Sequence, residues 1–102
     1  MEGGLLAEVK VEDYIPYGKS NAIQRSTLVV LLGSTDRRAR KMIEEARNRG
    51  LIILNDQDGS GYYISDDLDE IERSYRIERK RALMILKRLK GMRKVLKDAG
   101  RI

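Results

Sequence analysis

The last third of the chain constrains what the rest can become. Apolar residues fall at Leu68, Ile71, Tyr75, Ala82, Ile85, Leu89, Met92, Leu96 and Ala99. Their spacing keeps a heptad stripe on one helical face, interrupted by a single polar gap at Glu78 and widened by Leu83 and Leu86. One helix over 66–98 would be about 50 Å long at 1.5 Å per residue, against roughly 30 Å for a small domain. Such a helix must project or bend, and Gly91, which costs about 1 kcal/mol in a helix interior, is one place to bend. Ser65 or Asp66 caps it. Asp69, Glu70 and Glu72 near its start and Lys90, Arg93, Lys94 and Lys97 near its end both complement the helix macrodipole. Most helical stability comes from a buried face, so the stripe requires another surface, and a second copy of the chain is the simplest one.

Composition removes whole classes of chemistry. The 102 residues contain no His and no Cys, which excludes zinc fingers, iron–sulfur clusters, disulfides, thiol nucleophiles and His-based triads. Leu, Ile and Val make up about 26% of the chain, above the roughly 20% below which disorder is the default, so a small core is expected. No apolar run approaches the roughly 18 residues of a membrane span. The Met1–Ala7 start lacks the basic region and apolar stretch of a signal peptide. The expected location is cytoplasmic. No phosphate loop, nucleophile constellation or metal set is evident. The expectation is a non-enzyme with no cofactor, no metal and no small-molecule ligand.

Charge is unevenly placed. Residues 1–33 sum to −1, 34–50 to +3, 51–72 to −7 and 73–102 to +10. A +10 block in thirty residues is a candidate surface for nucleic acid, anionic membrane or an acidic protein, and is also compatible with a merely solvated helix face.

Ahead of the long helix, the pattern alternates between short helices and strands. A short helix near Val11–Ile15 and an extended Asn21-Ala22-Ile23 precede the apolar run Thr27-Leu28-Val29-Val30-Leu31-Leu32. Ser26 as N-cap and Gly33 just past the end favour a helix there, although Val29-Val30 would permit a strand. Ser34-Thr35-Asp36 opens a second helix, with Ala39, Met42, Ile43 and Ala46 on one stripe. Arg37, Arg38, Lys41, Glu44, Glu45 and Asn48 lie opposite, and Gly50 ends it. Leu51–Leu54 and Tyr62–Ile64 flank the turn-rich 55–61 and read as a β-hairpin. Leu28, Leu31, Ile43, Ile53 and Ile64 are the expected core.

Helix, Gly33 turn, basic helix, Gly50-Leu51-Ile52 and hairpin together resemble the winged helix-turn-helix domain over about 40 residues. The whole chain is similar to small winged-helix proteins encoded in prophages of gut Firmicutes, on Ile15-Pro16-Tyr17-Gly18, Gly61-Tyr62-Tyr63 and the basic last helix. The resemblance implies an α+β, mainly α fold. A winged domain would occupy 1–64, and a long basic helix over 65–102 would serve as a dimerisation arm. It implies a double-stranded DNA-binding regulator or accessory factor of phage type, with helix 35–49 in the major groove. Arg37, Arg38 and Lys41 leave the exposed face of its first two turns, with Arg40 at the edge. Arg suits bidentate contact with guanine, and Lys supplies a point charge. The helix starts near Thr27 and Thr35 can offer N–H groups to phosphates. A homodimer would form through Tyr75, Ala82, Ile85, Leu89, Met92 and Leu96.

The hairpin tip departs from the family pattern. Asp56-Gln57-Asp58 stands where winged domains that touch DNA carry basic residues, and carboxylates facing phosphates repel. No bidentate Glu follows at calcium-loop spacing, and helix capping accounts for Asp66, Asp67, Asp69 and Glu70. Alternation puts Tyr62 and Tyr63 on opposite faces of the strand, so only one could stack on a base, and a core or interface role is the better reading of the pair. Two other functions compete: a protein–protein module of a phage or replication complex, and non-specific nucleic-acid binding through the last helix.

Overall fold

The three α-helices among the described residues all end on the same device. In the computed structural model, which describes residues 9–56, 59 and 61–102, these are α1 (Arg25–Leu32), α2 (Asp36–Asn48) and α3 (Leu68–Asp98). Each is followed by a glycine of positive φ: Gly33 at 59°, Gly50 at 103° and Gly100 at 73°. At the first, Gly33 N–H donates to the Val30 carbonyl and Ser34 N–H to that of Val29, both at 3.1 Å. Gly50 and Leu51 repeat this on Arg47 and Ala46, and Gly100 and Arg101 repeat it on Lys97 and Leu96. This Schellman pair satisfies carbonyls that would otherwise lack donors, through a backbone shape that a Cβ disfavours.

Helix starts differ. Thr35 is extended and its hydroxyl accepts from Arg38 N–H at 3.1 Å, a side-chain cap on α2. Ser26, expected to cap α1, instead lies inside its first turn. Ile23 is held in an antiparallel bridge with Tyr62, so the backbone stays extended through Gln24, which becomes the cap residue without a side-chain bond. Farther upstream, the helix expected near Val11–Ile15 contracts to a single 3-10 turn, Val11–Asp13. Asn21 closes a second such turn, Lys19–Asn21, leaving the extended stretch to Ala22 and Ile23.

The hairpin is present, set two residues later at its start than the apolar run suggests. β1 (Ile53–Asp56) and β2 (Gly61–Ile64) pair antiparallel, with Ile53 opposite Ile64, Leu54 opposite Tyr63 and Asn55 opposite Tyr62. Gln57, Asp58 and Ser60 of the tip, and the side chain of Asp56, lie outside the described residues. The free edge of β2 is covered by the N-terminal segment. Tyr62 exchanges both backbone bonds with Ile23, at 2.7 and 2.9 Å, while Ile64 N–H donates to Pro16 O at 2.8 Å and Ile64 O accepts from Gly18 N–H at 3.0 Å.

Val11, Ile15, Leu28, Ile43, Ala46, Ile53, Tyr62 and Ile64 form the core, with Ile23, Leu32, Met42 and Leu51 packed against it. Leu28, Ile43 and Val11 are its largest fully buried side chains, each stabilising by about 1.5–3 kcal/mol on leaving water. Leu31 is a correction: it is 50% exposed. The buried stripe of α1 runs from Leu28 to Leu32, one i to i+4 step, and a helical period of 3.6 swings Leu31 off it. Tyr62 and Tyr63 are both buried, at 8% and 4% exposure, so alternation across the strand does not leave one of them open. Tyr62 joins Ile53 and Ile64 on the core face, and Tyr63 lies beside buried Leu54 on the other.

The described residues are thus α+β and mainly helical. The chain divides into two compact units between Asp67 and Leu68. The second unit is built on α3, which passes through Gly91 without interruption and has no buried residue. No described helix is long and apolar enough to cross a membrane.

Candidate nucleic-acid interface

α2 carries two faces of opposite character. Ala39, Ile43 and Ala46 are buried. A helical period of 3.6 places Arg37, Lys41, Glu44 and Asn48 along the ridge opposite, with Arg38 and Glu45 beside it, all exposed. The basic residues occupy the first two turns and the acidic ones follow. Gly33, the Thr35 cap and the packing of α1 on α2 fix where this N-terminal end points relative to the core.

Most arginines of this unit are engaged. Asp36, the first residue of α2, pairs with Arg25 of α1 and with Arg40 one turn on, the latter at 3.1 Å. Hydrogen bonding to Asp36, and next to Tyr62, raises the Arg25 pKa above its ordinary value. Arg25 therefore links α1 and α2 through one guanidinium. At the other end of α2, Arg49 holds both oxygens of Glu12, at 3.0 and 3.2 Å. Arg47 donates to Ile53 O at 2.9 Å and lies 5.7 Å from the Tyr62 ring centroid, a cation–π contact of about 0.5–1 kcal/mol.

Arg37, Arg38 and Lys41 stand apart. Among the described residues no ion pair or side-chain hydrogen bond engages them. Two physical effects work against them in the free protein. Cations at a helix N-terminus oppose the macrodipole, and Arg37 and Lys41 are like charges at i, i+4 spacing, each effect amounting to a few tenths of a kcal/mol. An anion brought against this end would relieve both.

The remaining expected contacts are placed unequally. Thr27 is exposed at the third position of α1. The first bond along that helix is Leu28 N–H to Gln24 O at 3.0 Å, so the amides of Arg25, Ser26 and Thr27 precede the helical ladder. The Thr35 hydroxyl is already used as a cap, and Arg40 is tied to Asp36. The α3 positions Tyr75, Ile85, Leu89, Met92 and Leu96 are exposed, as is Ala82. Among the described residues no group of three or more carboxylates gathers closely enough to hold a metal ion.

Sequence reading missed Arg25, Arg47, Arg49 and Glu12. Glu12 and Arg49 are 37 positions apart, and no local pattern marks such a pair. Comparison with family models, with curated proteins and with solved structures found no match to this chain.

Proposed function

We propose that the chain is a winged helix-turn-helix protein that binds double-stranded DNA without catalysing a reaction, acting as a phage-type transcriptional regulator or accessory factor. In this reading α1 and α2 are the helix-turn-helix, the β1–β2 hairpin is the wing, and α2 enters the major groove by its N-terminal turns. The observation that carries it is the trio Arg37, Arg38 and Lys41: exposed and unpaired on a helix end where their charge is unfavourable until a polyanion arrives. Arg37 and Arg38 would read guanine edges or phosphate, and Lys41 would act as a point charge. Arg40 and Arg25 are held by Asp36 and contribute less.

The test is fluorescence anisotropy with a labelled duplex at two salt concentrations, with unlabelled competitor. The triple Arg37/Arg38/Lys41→Ala variant should lose most duplex affinity and flatten the salt dependence by about 0.9 in slope for each phosphate contact removed. Arg38→Ala alone should cost about 1–3 kcal/mol on a preferred sequence if it reads a base. A triple variant that binds as tightly as the parent overturns the assignment.

A further inference from the structure

α3 leaves most of its apolar stripe open: Leu68, Tyr75, Ile85, Leu89, Met92 and Leu96 are exposed, and Ile71 is half-buried. We propose that this stripe pairs with α3 of a second copy of the chain, antiparallel and in full overlap. The direction follows from charge. Leu68–Leu83 holds four acidic and five basic residues, whereas Met84–Asp98 holds one acidic and six basic. An antiparallel pair sets each strongly basic half against a nearly neutral one. A parallel pair sets the two basic halves together and, at the heptad flanks, places Arg88 against the partner's Arg93 on both sides.

The register follows from the stripe. Full antiparallel overlap stacks Leu68 on the partner's Ala99, Ile71 on the partner's Leu96, Tyr75 on the partner's Met92, and Ala82 on the partner's Ile85. The polar gap at Glu78 then meets the partner's Leu89, once from each copy. On the flanks Glu72 comes beside the partner's Arg93, an opposite-charge contact made twice. Within one chain Glu72 is bonded to Arg76 at 2.8 Å, and the partner's Arg93 would join that exposed pair. Arg81 beside the partner's Arg88 is the unfavourable contact of this register, so orientation is decided by Glu72 and by the charge gradient. Gly91 falls outside the stripe and leaves it continuous.

The chain contains no cysteine, so engineered thiols report the geometry without background. Tyr75→Cys and Met92→Cys proteins, mixed and mildly oxidised, should give mainly the mixed disulfide between the two variants, with each single variant cross-linking poorly to itself. Strong Met92→Cys self-linkage would mean a parallel or shifted pair and overturns the proposal, as does a dimer that gives no mixed product. Sedimentation of the parent should give twice the chain mass of 11.7 kDa, falling to once that mass in the Leu89→Asp/Leu96→Asp variant. A parent that is monomeric at high micromolar concentration, or a double variant that stays dimeric, also overturns it. The triple α2 variant should leave the sedimentation unchanged, so this pairing and the DNA reading fail separately.

Discussion

Replacing Asp36 by Asn should move stability and DNA affinity in opposite directions. Asp36 holds Arg25 and Arg40 and places a negative charge at the start of α2. The Arg40 pair is substantially exposed, its arginine side chain 61% accessible, so it contributes about 0.2–1 kcal/mol after screening. The charge at the helix start adds about 0.3–1 kcal/mol through the macrodipole. Asp36→Asn should therefore destabilise by about 1–2 kcal/mol, read as a lower urea midpoint with an unchanged slope. On DNA the sign reverses. Removing the carboxylate takes a repulsive charge from the end of α2 that the proposed reading puts in the groove, and frees the more exposed Arg40 together with Arg25. Each cation that then reaches a phosphate steepens the dependence of log affinity on log salt by about 0.9. For one to two such contacts, a fourfold dilution from about 200 to 50 mM salt should strengthen binding about 3- to 12-fold more than in the parent. Anisotropy titrations on one duplex at five salt concentrations measure this, and adding Arg40→Gln to the Asp36→Asn variant should remove the larger share of the gain. Unchanged slope and affinity would mean that this end of α2 does not approach DNA, and the reasoning would fail.

Two stability predictions rest on glycines. A Cβ at Gly61 would lie 2.0 Å from the Ile23 carbonyl oxygen, at φ 105°, whereas one at Gly50, at φ 103°, meets nothing within 4 Å. Gly50→Ala should cost about 1–2 kcal/mol from backbone strain alone, and Gly61→Ala a further 1–3 kcal/mol or more from overpacking, by urea unfolding. Equal losses would show that the Ile23 bridge yields freely. Gly91 has helical φ and open space around it, so Gly91→Ala should stabilise α3 by about 1 kcal/mol, seen as a later loss of helical dichroism on heating. A decrease would mean that the helix needs to bend there.

What the sequence makes legible is local. Gly33 and Gly50, the Ser34-Thr35-Asp36 helix start, the Ala39–Ile43–Ala46 stripe and the turn-rich hairpin each announce themselves within a few residues, because capping and periodicity are short-range effects. The errors lie where a distant segment decides. Ser26 has no capping role because Ile23 pairs with Tyr62, almost forty positions away, and nothing near either residue signals that bridge. The same pairing covers the open edge of β2, which no local signal announces, whereas the burial of Tyr62 and Tyr63 agrees with the core reading of those residues. Leu31 misleads because five consecutive apolar residues, Leu28–Leu32, do not reveal which side of the helix faces inward. Among the candidate contacts, Arg37, Arg38 and Lys41 stand free as their spacing suggests. Arg40 looks equivalent in sequence but is held by Asp36, and the ties from Arg25 to Asp36 and from Arg49 to Glu12 exist only once the fold brings them together.

The seam between β2 and residues 16–23 bears on solubility. Tyr62, Tyr63 and Ile64 form a short, uncharged, β-prone run, and a bare strand of that composition is a template for recruiting another chain. Here its outward N–H groups are spoken for by the carbonyls of Ile23 and Pro16. Pro16 has no N–H of its own, so at that point the outer rim offers no donor to an incoming strand. A nick or truncation that releases this segment would do more than loosen the core. It would expose a sticky edge, and the first symptom would be aggregation rather than loss of binding.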